Sequence, residues 1–325
     1  MARSAWCMAH PASDRARAAA APDRDAGVHR DGARRNRAPG MARVLAALVL
    51  LAAAPGQGAR ADDKPQRIVS LDLCADQILI DLAPRSRIAA VTHLAADASV
   101  SAIPERARGL PVTRGAAEDV LKHDPDLVLA GQFGVAGTVS LLQRVGRKVV
   151  IVPLSSDLEG VRRAVTIVAA AVGEVRRGET LLAAFDARLA AVARAAATRG
   201  ARRPSALVYQ VGGSASLEGT LADAALVAAG FANASHAYPR LRGSQVPLEA
   251  ILARPPDLLV LASPPFAYRT VVADNLRHPA LRALAARIPS LELPWRQWLC
   301  GTPHLADAVE ALAAAWPLAA KGAAP

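Results

Sequence analysis

Three groups of side chains in this sequence could do chemistry: two of its three cysteines, five of its seven histidines and a close pair of tryptophans. Cys74 and Cys300 are the only cysteines after residue 7. Either thiol beside a histidine would make a nucleophile, so a secreted cysteine hydrolase is one reading. His93, His123, His236, His278 and His304 are far apart in the chain. A zinc or other transition-metal site would need several of them to converge with carboxylates, and no spacing brings them together. No G-x-S-x-G, H-E-x-x-H, P-loop or G-x-G-x-x-G occurs, and Gly131, Gly134 and Gly137 are wrongly spaced for a phosphate loop. These absences argue for binding rather than catalysis, with no catalytic residue, cofactor or protein-held metal expected. Trp295 and Trp298 lie three apart between Pro294 and Gly301. They could offer a flat apolar face to a macrocycle or chelate, or plug a core.

The elements that must position these residues alternate in type. Short apolar runs at Arg67–Leu71, Arg87–Thr92, Asp126–Ala130 and Lys148–Pro153 read as strands. Helical patterns lie between them near 74–83, 115–123 and 137–146. Continuous apolar strands separated by helices imply parallel βα units covered on both faces. Leu158, Val161, Val165, Val168 and Val172 then mark one face of a helix, which Gly173 interrupts. Helical spacing resumes through Leu181, Phe185, Leu189 and Val192; a helix over 174–199 would be roughly 39 Å long, enough to run from one lobe to another. After Pro204 the alternation restarts with strands at 206–211 and 258–262 and helices near 220–229, 275–286 and from 303.

The chain also repeats itself. Glu118-Asp-Val-Leu-Lys-His-Asp-Pro125-Asp-Leu-Val-Leu-Ala130 is echoed by Glu249-Ala-Ile-Leu-Ala-Arg-Pro-Pro256-Asp-Leu-Leu-Val-Leu-Ala262. In each copy a glutamate opens a short helix, proline ends it seven residues later, and an apolar strand follows. The 131-residue offset between the glutamates implies two similar α/β lobes with parallel-type sheets.

With Arg67-Ile-Val-Ser-Leu71, the doubled Glu…Pro-Asp-Leu units, the long mid-chain helix and Ala229-Gly-Phe-Ala-Asn233, the sequence resembles the iron-siderophore and vitamin B12 periplasmic binding proteins over about 67–316. That resemblance implies two α/β lobes joined by one long interdomain helix, with ligand held in the cleft between them. It also implies partners: an inner-membrane ABC permease with its ATPase, and a ferric siderophore or cobalamin-like corrinoid as cargo. Glu118 and Glu249 would then dock on permease arginines. A haem or transition-metal cargo is the alternative. The Asp72-Leu-Cys-Ala-Asp-Gln77 segment departs from the Pro, Asn or Thr and Glu of many relatives. Aromatics are few, and no arginine set suited to ferric catecholates stands out.

In open parallel sheets, ligands bind outside the carboxyl ends of the strands. In the first lobe this rule nominates Asp72, Cys74, His93, Arg114, Gln132 and Phe133. In the second it nominates Gly212, Gly213, Ser214, Ser263, Phe266, Trp295, Trp298 and Cys300. Arg114 could pair with an anionic ligand, or be a solvated loop charge.

Residues 41–61 have the three parts of a secretory signal: a basic start at Arg43, the apolar run Val44–Ala54, and Ala59-Arg60-Ala61 as cleavage site. Residues 1–40 read as an upstream extension absent from the exported protein, with translation starting at Met41. The expected domains are thus 62–155 for the first lobe, 156–200 for a helical segment with the linker helix, and 201–325 for the second lobe. The full chain carries +11, but residues 1–61 hold 10 basic and 4 acidic side chains, leaving 29 against 24, or +5. That charge does not indicate nucleic acid. A periplasmic monomer is expected, without a lipid-bearing cysteine after the apolar run. In an oxidising compartment, an even pair of cysteines at strand ends of different lobes favours a Cys74–Cys300 disulfide; two free thiols, or two thiolates on a soft metal, remain open.

Overall fold

Apolar alternation along the strands sends successive side chains to opposite faces, and each sheet is accordingly covered by helices on both sides. The computed structural model describes residues 64–200, 202–263 and 273–322, so the expected signal segment and Phe266 lie outside the described residues. All described residues fall within one compact unit.

The first lobe carries strands β1 (Ile68–Ser70), β2 (Ile88–Thr92), β3 (Val112–Thr113), β4 (Leu127–Gly131) and β5 (Val149–Val152). Helices α1 (Leu73–Leu82), α2 (Pro104–Ala107), α3 (Ala117–Leu121) and α4 (Ala136–Arg144) connect them. The sheet runs β3-β2-β1-β4-β5, and every pairing is parallel. Ile68, Leu127 and Leu129 face a core with Ile78, Leu82 and Val165. Val69, Val128 and Ala130 face the other way, onto Val120 and Leu142.

Two helices follow. The valine stripe forms α5 (Leu158–Val172), with Val161, Val165, Val168 and Val172 buried. It ends at Gly173, whose left-handed φ of 73° caps the helix C-terminus at little cost for glycine. The next helix, α6 (Val175–Ala197), is a few residues shorter than the periodicity implies because Thr198 already leaves the helix. Leu181 and Leu182 of α6 pack on the first lobe's core, while Phe185 and Val192 enter the second lobe's core. One continuous helix therefore belongs to both lobes.

The second lobe holds β6 (Ser205–Tyr209), α7 (Leu221–Ala228), β7 (Ala232–Asn233), α8 (Leu248–Ala253), β8 (Leu258–Ser263), α9 (Pro279–Ala285), β9 (Ser290–Pro294), α10 (Arg296–Leu299) and α11 (Leu305–Gly322). Its sheet is β7-β6-β8-β9, again all parallel. Val208, Leu258 and Val260 face α7 and α11, and Leu207, Leu259 and Leu261 face α8 and α9. The repeated units become α3–β4 and α8–β8, each strand lying inside its sheet. The two-residue strands β3 and β7 carry too little pattern to be read from sequence.

Candidate functional site

A seam joins the lobes where their strand ends meet. Cys74, in the first turn of α1, and Cys300, after α10, form a disulfide with Cα atoms 5.1 Å apart. Trp295 Nε1 donates to the Ser99 carbonyl at 2.9 Å, and Arg296 Nη1 donates to the Ala98 carbonyl at 3.2 Å. His304 Nε2 lies 2.9 Å from Asp81 Oδ2, a buried carboxylate that also pairs with Arg106. Every one of these contacts crosses between lobes or braces one that does.

Beside the disulfide lies a recess of 170 Å³ bordered by Asp72, Cys74, Gln132, Phe133, Leu154, Ser155 and Gly301. The sequence rule nominated the first four. Asp72 follows β1 and caps α1, accepting from the amides of Cys74 and Ala75 at 3.0 Å. Gly131, closing β4, sits so near that a Cβ there would come within 2.5 Å of Asp72 Oδ2, so glycine keeps the cap in place. Gln132 Oε1 accepts from the Leu154 amide at 3.2 Å, linking the loops after β4 and β5. Phe133 and Leu154 are 70% and 61% exposed, which is unusual for such apolar groups and gives the first lobe an apolar lip. The strand-end rule also reaches Leu154 and Ser155, which follow β5.

On the second lobe, Gly212 and Gly213 border a 540 Å³ recess with Tyr209, Leu241, Gln245, Glu249 and Asn275. Two consecutive positive φ angles, 74° and 76°, fold the chain sharply after β6. Ser214 bridges to Gln245 at the back of this turn. Burial pushes the Tyr209 phenol up from its ordinary pKa, against a hydrogen bond with Asn275. Leu241 and Gln245 sit in a polar loop without periodicity and Asn275 in a short 3-10 turn, and nothing in the sequence singles them out as sharing a recess.

Other nominated residues fall elsewhere. His93 and Arg114 are exposed after β2 and β3, outside these recesses. Ser263 ends β8, but its side chain is outside the described residues. The tryptophan pair does not present a common flat face. Trp298 is only 7% exposed and belongs to the second lobe's core, because α10 turns it beneath α7 and α11. Trp295 is spent on the seam. Glu118 and Glu249 are both exposed, each the second residue of its short helix, α3 or α8.

With both sulfurs in a disulfide, neither cysteine offers the thiolate that a hydrolase would need. Among the described residues no group of three or more His, Cys, Asp or Glu side chains is placed to hold a metal ion. No described helix is long and apolar enough to cross a membrane.

Two parallel α/β lobes spanned by one helix, with recesses at the strand ends, define a two-lobed solute-binding architecture. The periplasmic binding protein family model matches residues 68–287, and the chain belongs to that family. It is 25% identical over 205 residues to the cobalamin-binding protein of Halobacterium salinarum, covering 61% of this chain and 54% of that one. The chain thus spans about half the length of the curated relatives it matches. The apo periplasmic haem-binding protein of Roseiflexus sp. RS-1 is similar in structure, with 26% identity, a TM-score of 0.65, and coverage of 78% of this chain and 99% of that one. The periplasmic vitamin B12-binding protein of Vibrio cholerae shares the fold, at 17% identity and a TM-score of 0.60, covering 79% and 99%. The family and these neighbours are binding proteins, not enzymes.

Proposed function

We propose that this chain is the periplasmic binding component of an ABC importer, and that it carries a metal-bearing macrocycle, a corrinoid first, to an inner-membrane permease. The observation that carries this reading is the pair of recesses at the carboxyl ends of both sheets, one bearing the apolar lip of Phe133 and Leu154. An open apolar lip suits a broad, weakly charged ligand better than a small ion. Similarity to a cobalamin-binding relative supports the corrinoid. Haem is the second reading, favoured by the Roseiflexus neighbour. Tryptophan fluorescence titration of the exported protein with dicyanocobinamide, cyanocobalamin, haemin and a ferric siderophore panel tests the reading. Saturable binding of a corrinoid is expected; tight binding of haemin alone would replace the corrinoid, and binding of a ferric siderophore alone, or of none, would overturn the macrocycle.

Glu118 and Glu249 are the proposed docking pair, supported by their matched exposed positions in the repeat. A double Glu118→Arg, Glu249→Arg variant should lose uptake while retaining ligand binding. Unimpaired uptake would remove the docking role. Export through the 41–61 segment is part of the same proposal, and N-terminal sequencing of the periplasmic protein should begin after Ala61.

A further inference from the structure

Gly301 follows the bonded Cys300 at the seam and packs against Ser155 of the first lobe. A Cβ built there would lie 2.1 Å from Ser155 Cβ and 2.7 Å from its Oγ, far inside van der Waals contact. Gly301 is not among the glycines with positive φ, so its backbone would accept alanine and the constraint is the contact itself.

Neither partner can step aside. Ser155 is buried, and behind it Gly160 in α5 is so close that its own Cβ would come within 3.0 Å of Ser155 Cα. Gly301 follows Cys300, which is tied to Cys74, and the preceding Trp295 and Arg296 are hydrogen-bonded to the first lobe. A methyl group at 301 therefore has to be absorbed by the lobes themselves. Bringing the carbons from 2.1 Å to ordinary contact requires about 1.5 Å of added separation.

We propose that Gly301 and Ser155 form a spacer that sets the gap between the lobes and, with it, the size of the ligand group admitted to the adjoining recess. This rests on the reading of the cleft as the ligand site. Both residues border that recess, whose 170 Å³ is smaller than the roughly 300 Å³ or more that encloses a whole drug-sized ligand. The recess therefore takes an arm or edge of the ligand, while the body lies in the open cleft against Phe133 and Leu154. Ile78, Phe133 and Leu154 suit an apolar stem, and Asp72, Gln132 and Ser155 suit a polar tip. Gly301 and Ser155 are positioning residues: they act on ligand fit through the gap they fix.

The test compares wild type, Gly301→Ala, Ser155→Gly and the double variant in two measurements. Pulsed electron paramagnetic resonance reads the distance between labels carried on non-natural residues at Lys122 and Ala253, exposed positions at the ends of α3 and α8. Fluorescence titration reads affinity for dicyanocobinamide and haemin. Gly301→Ala should lengthen the label distance and weaken binding of whichever probe the wild type takes by about tenfold, the scale of one misfitted methyl group in a pocket. The double variant should return both values toward wild type, because the nearest remaining atom, Ser155 Cα, lies at an ordinary 3.4 Å. An unchanged distance in Gly301→Ala, or no rescue by Ser155→Gly, overturns the spacer. If Gly301→Ala fails to fold, a folded double variant supports the contact and an unfolded one refutes it. A wild type that binds neither probe faults the ligand reading, while the label distances still judge the spacer.

Discussion

The helix shared by the lobes is fastened at its start and along its second half by arginine clusters of opposite character. At its start, the buried Arg87 guanidinium donates to Glu174 at 2.7 Å and to the Pro65 and Val172 carbonyls at 2.6 and 2.5 Å. Along its second half, Arg188 reaches Glu310 through two donors at 2.7 and 2.6 Å, and Asp307 at 2.6 Å. Those partners project from α11 into solvent, with Arg188, Asp307 and Glu310 side chains 37%, 49% and 46% exposed. By number of bonds the two clusters look alike. Burial separates them. Removing one partner from a buried cluster strands the others away from water, whereas water replaces what an exposed cluster loses. The first lobe is thus gripped by a dry polar lock, and the second by packing of Phe185 and Val192 with a hydrated bridge above.

The largest expected effect comes from breaking the seam that makes both attachments part of one body. Cys74 and Cys300 are 226 residues apart, and the chain-entropy account gives about 5 kcal/mol for closing so long a loop. Denaturant unfolding of a Cys74→Ser, Cys300→Ser variant should therefore show a loss approaching that figure. A loss below about 1 kcal/mol would mean that the unfolded chain is little constrained by the bridge.

Next in size is the dry lock. Arg87→Ala should cost about 3 kcal/mol, the lower end for a broken buried pair because Lys64 still reaches Glu174 at 3.1 Å. A third effect concerns another buried group of the first lobe. Asp76 accepts from the Thr92 amide and hydroxyl through one oxygen, while Oδ1 has no partner. Burial pushes its pKa up to about 8, against the hydrogen bonds from Thr92 and the nearby Ser70 hydroxyl, which bonds the Asp72 carbonyl. Between pH 4 and 8 the unfolded carboxyl has released a proton that the folded one retains, so stability from this group falls as pH rises through that window. Asp76→Asn should flatten this slope and stabilise the protein by on the order of 2 kcal/mol at pH 8, allowing for the buried, unpaired amide NH2. Chemical denaturation at pH 5 and pH 8 measures it, and an unaltered slope would assign the pH dependence to other groups.

The smallest effect is expected at the wet bridge. Arg188→Ala should cost less than about 1 kcal/mol, and should be further masked by salt. Equal losses for Arg87→Ala and Arg188→Ala would erase the distinction between the two attachments.

Much of the architecture was legible because it rests on period and punctuation. The strands of β1, β4 and β8 are continuous apolar runs, α5 is a valine stripe ending in glycine, and the doubled Glu…Pro-Asp unit reveals a second lobe. The first-lobe recess was partly legible, since Asp72, Gln132 and Phe133 follow strand ends directly. What escaped depends on packing between distant segments. No local pattern says that Gly301 meets Ser155, that α10 rotates Trp298 inward, or that Leu241 and Asn275 share a recess. Spacing put Trp295 and Trp298 together; a four-residue helix against α11 turned them apart.

The bridge between Cys74 and Cys300 also changes what a cut in the chain means. With residues so far apart joined, the described fold is covalently a ring with two short tails. A single peptide bond hydrolysed anywhere between those cysteines opens the ring without releasing a fragment. Both halves of a once-nicked molecule stay tethered beside the seam, held close enough for their strands to remain paired. Such a molecule should migrate as one species until a reductant parts it in two, so in an oxidising compartment a first proteolytic hit need not end the working life of the protein.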